Sequence, residues 1–182
     1  YSTDGGKTWN NSYPTITDVG EITVQVKAEN KNYTTATAEY ILKVTPKAVT
    51  VTGNNGSKTY GAQDPEKFTA KVEGTLGNDT VEYTVSRVSG EDVGHYAVNP
   101  TGAKVQGNYT VSYVPGDFEI VKSGNLTVSG EKYEGIYDAD AHGEAAKANV
   151  TEGTTISYST DGGKTWNNSY PTITDVGEIT VQ

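Results

Sequence analysis

Few residues in this chain are equipped for chemistry, and their spacing limits what they can do. The only histidines are His95 and His142. A nucleophilic relay needs a hydroxyl held by an oriented imidazole. His95 falls inside the run Val93 to Val98, where a strand residue faces solvent or pairs across the sheet, and neither histidine reads as a general base. Asp138, Asp140, His142 and Gly143 imitate the first half of a calcium loop, with alternating oxygen ligands closed by a glycine turn. The bidentate glutamate that should end such a loop is replaced by Asn149, so the segment reads as a solvated acidic loop. No cofactor or metal is expected.

The octet Ser159-Thr160-Asp161-Gly162-Gly163-Lys164-Thr165-Trp166, also present as Ser2 to Trp9, is similar to the Asp box of sialidase propellers. In that motif the aspartate ties down a hairpin turn through backbone hydrogen bonds, which is a structural role even in enzymes. Asp4, Trp9, Asp161 and Trp166 are therefore assigned to structural hairpins. Sialidase action needs several arginines around a substrate carboxylate, and Arg87 is the only arginine. A propeller also needs one motif per blade, at roughly 40–50 residues. Trp9 and Trp166 are expected in the core. Tyr13 and Tyr170, each ahead of a proline, are expected on the surface, where they are the candidates for contact with sugar rings.

The elements that must position these residues are organised by a repeat. Residues 1–25 recur unchanged as residues 158–182, so the period from Tyr1 to Tyr158 is 157 residues. The expectation is a chain that begins and ends at the same place inside a longer array. A degenerate echo lies within the period: Asp92-Val93-Gly94-His95-Tyr96 with Asn108-Tyr109-Thr110 parallels Asp18-Val19-Gly20-Glu21-Ile22 with Asn32-Tyr33-Thr34. Two related modules alternate, with boundaries near Pro46 and Ser123-Gly124. Residues 46–122 are expected as one complete module, 1–45 as the C-terminal part of a split module, and 123–182 as the N-terminal part of the next.

Composition sets the class. With 34% apolar and 20% charged residues in 182, the chain can support one or two small cores. Thirteen tyrosines against two phenylalanines suit cores whose rings keep a hydroxyl at the wet edge. Apolar side chains alternate in Ile22 to Ala28, in Val81, Tyr83 and Val85, and in Tyr109, Val111 and Tyr113, as in half-buried strands. Asn54-Asn55-Gly56, Gly77-Asn78-Asp79, Pro115-Gly116-Asp117 and Asp161-Gly162-Gly163 supply the reversals. Only Asp140 to Asn149, with four alanines, could form a helical turn, and Gly143 weakens it. The fold class is all-β: small antiparallel, Ig-like β-sandwich modules in tandem, with a β-grasp-like variant as the alternative.

A net charge of −9 offers no basic stripe for phosphates, and nucleic acid is not an expected partner. No run of 18 apolar residues is present, so membrane insertion is not expected. Cysteine and methionine are both absent, which suits an oxidising exterior.

The middle module, with Lys58-Thr59-Tyr60-Gly61, Asp64-Pro65, Gly90-Glu91-Asp92-Val93-Gly94-His95-Tyr96, Asn108-Tyr109 and Pro115-Gly116-Asp117-Phe118, resembles the MBG domain of YGX type. The flanking module, with Tyr137-Asp138, Ala141-His142-Gly143, the Tyr158 to Trp166 segment and Asp175-Val176-Gly177, resembles Ig-like repeats with a Tyr-Asp-Gly motif. Ala139 stands where that motif has its glycine, so the turn there is expected to differ. The resemblance implies a large, cell-wall-anchored or secreted protein of Gram-positive bacteria, located outside the cell, with no catalytic residues to carry over. The chain is thus expected to be no enzyme but a spacer or stalk that presents an adhesive domain. The alternative is an adhesin module that itself binds host glycans or matrix. Neighbouring repeats are the expected partners, together with head-to-tail self-association through the split module.

Overall fold

The computed structural model describes Tyr1–Gln182, and every regular element in it is a strand. The chain divides into two units, Tyr1–Lys122 and Ser123–Gln182.

In the first unit, β1 (Gly20–Asn30) and β2 (Tyr33–Val44) form an antiparallel hairpin, with Ile22 opposite Leu42 and Val24 opposite Tyr40. Its turn is closed by Asn30, whose Oδ1 accepts the Asn32 amide at 2.9 Å, the local bond that favours asparagine at a reversal. Val24 is fully buried, while β2 is exposed along most of its length.

The strands β3 (Lys47–Gly53), β4 (Gly56–Thr59), β5 (Ala70–Glu73), β6 (Thr84–Arg87), β7 (Gly94–Thr101), β8 (Val105–Gln106), β9 (Tyr109–Val114) and β10 (Gly116–Val121) follow. They build two four-stranded sheets, ordered β5-β3-β9-β8 and β4-β10-β7-β6. In β3 the alternation of Val with Thr puts Val49 and Val51 inside, where they pack with Val81, Tyr109 and Val111. The second sheet buries Val98, Phe118 and Ile120, with Phe68 edge-on to Phe118 at 5.3 Å between ring centroids. Each fully buried Val, Ile or Phe contributes about 1.5–3 kcal/mol.

Both sheets are mixed. β3 runs parallel to β9, and β4 runs parallel to β10. β3 leads into β4, and β9 into β10, so two neighbouring chain segments leave one sheet and enter the other together. Pro115-Gly116-Asp117 is thus a corner between sheets and not the reversal its residues suggest. The intervening crossover between parallel strands is long enough to satisfy parallel pairing.

Only Thr45 and Pro46 separate β2 from β3, and Asn108 bridges the joint. Its Oδ1 accepts the Val19 amide at 2.8 Å, its Nδ2 donates to Asp18 at 2.8 Å, and its carbonyl accepts the Lys47 amide at 2.9 Å.

The second unit has little regular structure. β11 (Val128–Ser129) pairs antiparallel with β12 (Lys147–Ala148), and isolated bridges join His142 to Ile173 and Tyr158 to Asn167. Its one buried residue is Ser159. The alanine-rich stretch from Asp140 to Asn149 contains no helical turn. Its backbone is used otherwise: His142 and Ile173 exchange both backbone hydrogen bonds, at 3.0 and 2.8 Å, and the Asn149 amide donates to Thr127 at 3.1 Å.

Candidate functional site

The two octets fold alike. Asp4 Oδ1 accepts the Thr8 amide at 2.9 Å, and its Oδ2 accepts the Thr8 hydroxyl at 2.6 Å. Asp161 does the same with Thr165, at 2.9 and 2.6 Å. The Ser2 and Ser159 hydroxyls donate to these carboxylates and accept the Gly6 and Gly163 amides, at 2.9 and 2.8 Å. Gly5 and Gly6, like Gly162 and Gly163, take φ of 73° and 83°, a left-handed pair that favours glycine. The threonine hydroxyl and amide bonds hold the carboxyl of Asp4 at about 2, and those of Thr165 do the same for Asp161. A carboxylate so fully engaged is a turn clamp and has no proton to give at neutral pH.

Trp9 and Trp166 are not in a core. They are 39% and 57% exposed, because each indole closes back on its own turn: Nε1 donates to the Gly6 carbonyl at 3.0 Å and the Gly163 carbonyl at 3.1 Å. The Trp9 ring is covered instead by the Lys27 ammonium, 4.8 Å from its centroid, a cation–π contact. Tyr13 and Tyr170 both lie on the surface, and no other ring stacks on either.

The histidines each meet one carboxylate. His95 Nδ1 lies 2.8 Å from Asp117 on the exposed face of β7 and β10. The hydrogen bond to Asp117 raises its pKa. His142 Nε2 lies 2.8 Å from Asp138, and its ring stacks on Tyr133 at 4.7 Å. Asp138 also accepts the Asp140 amide at 3.0 Å, so its Oδ1 serves the local turn. No three His, Asp or Glu side chains converge as metal ligands. With φ of 70°, Ala139 is the one residue other than glycine with positive φ, in the left-handed region that glycine favours.

The densest polar cluster lies in the first unit and was not singled out in the sequence. Lys58 on β4, Asp64 in the following loop, Arg87 at the end of β6 and Glu91 beyond it are drawn together. Arg87 Nε and Nη2 donate to Asp64 Oδ2 at 3.0 and 2.7 Å, and Nη2 also donates to Glu91 at 2.7 Å. Nη1 donates to the Val88 and Gly90 carbonyls at 3.0 and 2.7 Å, so all five guanidinium donors are used. The guanidinium sits over the rings of Tyr96 and Phe118, 5.0 and 5.5 Å from their centroids. Asp64 Oδ1 receives no well-aligned hydrogen bond; its partner is the Lys58 ammonium at 2.7 Å, which also contacts Glu91. Only 6% of the Lys58 and 5% of the Arg87 side chain is exposed.

These contacts stabilise the charged forms. Hydrogen bonds to Asp64, then to Glu91, raise Lys58 and Arg87, and the Lys58 ammonium, then Arg87, lowers Asp64 and Glu91. An amine adjacent to a carboxyl suggests amide formation, but that step needs a neutral amine and a protonated acid. The network drives each the other way, so the cluster is an ionic clamp under two aromatic rings. Two signals in the sequence pointed to it: Arg87 is the lone arginine, and Glu91 follows it by four residues.

The motif around the clamp has matching physics. A Cβ at Gly90 would strike the Tyr96 ring, 2.9 Å from its Cζ, and the Tyr96 hydroxyl donates to the Asp92 carbonyl at 2.8 Å. Gly90 to Asp92 thereby wraps the aromatic lid. On the other sheet the Tyr109 hydroxyl accepts the Leu76 amide at 3.1 Å and donates to Asp79, lashing that loop to the core.

No curated protein and no solved structure matches the chain. Residues 49–119, from within β3 to within β10, match the family described as MBG domain (YGX type). That span contains Lys58, Asp64, Arg87, Glu91 and the lid of Tyr96 and Phe118, and no helix of the chain is long and apolar enough to cross a membrane. Residues 49–119 are therefore an MBG domain of the YGX type, a module typical of bacterial surface proteins.

Proposed function

We propose that the chain is a structural repeat of an extracellular bacterial surface protein, a spacer that presents an adhesive domain away from the cell wall and carries out no catalysis itself. The observation that carries this reading is the joint at Asn108. One side chain satisfies Asp18 and Val19 on the preceding segment, and the same residue's carbonyl holds Lys47 across a two-residue linker. Coupling of this kind between neighbours is what lets a repeat array extend without new chemistry. The inward-turned charges of the clamp support the same reading, since Arg87 has no donor left for a ligand. On this reading the flanking segments, with Tyr137-Asp138 and Asp175-Val176-Gly177, are parts of Ig-like modules of Tyr-Asp-Gly type, and the partners of each module are its neighbours in the array.

The test is solution scattering on the chain and on a version extended by one further 157-residue period. The maximum dimension is expected to grow in proportion to the added repeat. An unchanged maximum dimension would refute a spacer.

A second reading rests on the exposure of Tyr13 and Tyr170, which leaves two rings free for sugar stacking. In it the modules themselves bind host glycans or matrix. Reproducible glycan-array binding that disappears in Tyr170→Ala supports this reading against the spacer.

A further inference from the structure

The joint at Asn108 is made of two halves, and both halves occur twice in the first unit. One half is a loop. Asp18-Val19 ahead of β1 and Asp92-Val93 ahead of β7 run into Gly20 and Gly94, which share a φ of 159°. The other half is a two-residue turn. Gln106 pairs with Tyr109 across Gly107-Asn108, and Asn30 pairs with Tyr33 across Lys31-Asn32, so Asn108 and Asn32 hold the same position of their turns.

The path of the chain gives the halves their places. Asn108 stands where the chain enters the two sheets, since Tyr109 lies beside Lys47, the first residue of β3. The loops stand where the chain leaves. Gly20 is opposite Val44, the last residue of β2, and Gly94 is opposite Ile120, next to the last residue of β10. The chain thus leaves β10 beside Asp92-Val93, as it leaves β2 beside Asp18-Val19.

One loop is engaged and the other is not. Val19, whose amide donates to Asn108, is half-buried. The Asp92 carboxylate and the Val93 amide bond to no group in the chain, and Val93 is 48% exposed. The Asn32 amide donates to Asn30, but its carboxamide is likewise unpaired. The free loop is nonetheless held in shape. The Tyr96 hydroxyl donates to the Asp92 carbonyl, and Arg87 donates to the Gly90 carbonyl and to Glu91. A loop ordered in advance loses little conformational freedom when it docks.

We propose that Asp92-Val93 is a second docking loop, and that its occupant is the Asn32 turn of the module that follows it in tandem copies of this chain. The carboxamide Oδ1 accepts the Val93 amide and Nδ2 donates to Asp92, the pattern that Asn108 makes with Val19 and Asp18. Asparagine suits this pair because it carries an acceptor and a donor side by side. Within one chain the two halves meet at high effective concentration, so a pair of hydrogen bonds suffices. Arg87 and Tyr96 then act as positioning residues for the loop. The inference rests on the spacer reading and names the contact by which the MBG domain holds its next neighbour.

The test uses the chain extended by a copy of its residues 26–45, which supplies an Asn32 turn after the MBG domain, and follows exchange of the Val93 amide by NMR. Exchange is expected to slow at least about tenfold relative to the 182-residue chain, as for an amide that gains a partner. Asn32→Ala in the copied segment is expected to reverse the slowing. Because that change could unfold the turn, Asp92→Ala serves as the second variant: its carboxylate has no partner within the domain, and its loss is expected to speed Val93 exchange in the extended chain alone. Val93 exchange that is equally fast with and without the added segment, or slowing that either variant leaves in full, would overturn the proposal. The spacer reading stands or falls separately, on the growth of the maximum dimension.

Discussion

The backbones of Gly53 and Gly116 touch where the chain passes between the two sheets of the MBG domain. A Cβ on Gly53 would lie 2.7 Å from the Gly116 nitrogen and collide with the Val98 carbonyl oxygen, and one on Gly116 would collide with the Gly53 carbonyl. The obstacle on each side is backbone, which cannot rotate away as a side chain can. The parallel pairs β3 with β9 and β4 with β10 therefore share one corner, built on two residues without side chains.

Gly53→Ala and Gly116→Ala should each destabilise the domain by about 3 kcal/mol, at the upper end for overpacking. Urea denaturation followed by tyrosine fluorescence measures this. An alanine at either position with unchanged midpoint would show that the corner has slack. Gly61, with open space at its Cβ position, is the comparison for mere loss of glycine, although its φ of 85° adds backbone strain of its own.

Acid should weaken the chain before base does. Asp64 and Glu91 are held below their ordinary values by Lys58 and Arg87, and Asp4 and Asp161 are held at about 2 by their turns. Their unfolded forms bind protons first, so the stability they contribute is complete above about pH 4.5 and is lost as pH falls through the folded pKa values. Thermal melts from pH 6 to pH 2 should show Tm falling below about pH 4.5, with the fall blunted in Asp64→Asn, which melts lower at pH 7 but has less left to lose. A wild-type Tm that is flat over this range would contradict the ionic assignment.

Ala139 pays the steric cost of a left-handed backbone, about 1–2 kcal/mol for an L-residue. Glycine relieves it but restores freedom to the unfolded chain, a loss of about 0.4–1 kcal/mol. Ala139→Gly should therefore stabilise the second unit by about 0.5–1 kcal/mol, an unusual direction for an alanine-to-glycine change. Hydrogen exchange of the amides of Asp140 and His142 reports it, and faster exchange in the variant would show the conformation to be unstrained.

Asn108→Ala should loosen the joint while leaving the MBG core folded, because it removes the bonds to Asp18 and Val19 but not the Lys47 contact with its carbonyl. Limited proteolysis should then cut near Val19, with little change in the melting of residues 49–119. Resistance equal to wild type would mean that the two-residue linker alone holds the segments.

What the sequence determined by itself is whatever closes within a few residues. The octet turn forms identically at Asp4 and at Asp161, because its donors and acceptors lie within eight positions and two glycines permit its backbone. The all-β class was equally legible, from Val and Thr alternating in β3 and from the Tyr109, Val111 and Tyr113 stripe of β9. The MBG motif was legible too, since its glycines and tyrosines stand at fixed spacings.

Contacts between distant segments were decided only in three dimensions. Trp9 and Trp166 read as core residues but close over their own turns, and the alanine stretch after Asp140 gives its backbone to Ile173 and Thr127 instead of a helix. The clamp at Arg87 assembles from β4, two loops and β6, so no local window contains it. Val24 shows the limit most directly: it is buried because β2 lies against β1, and alternation along one strand cannot say which partner will cover it.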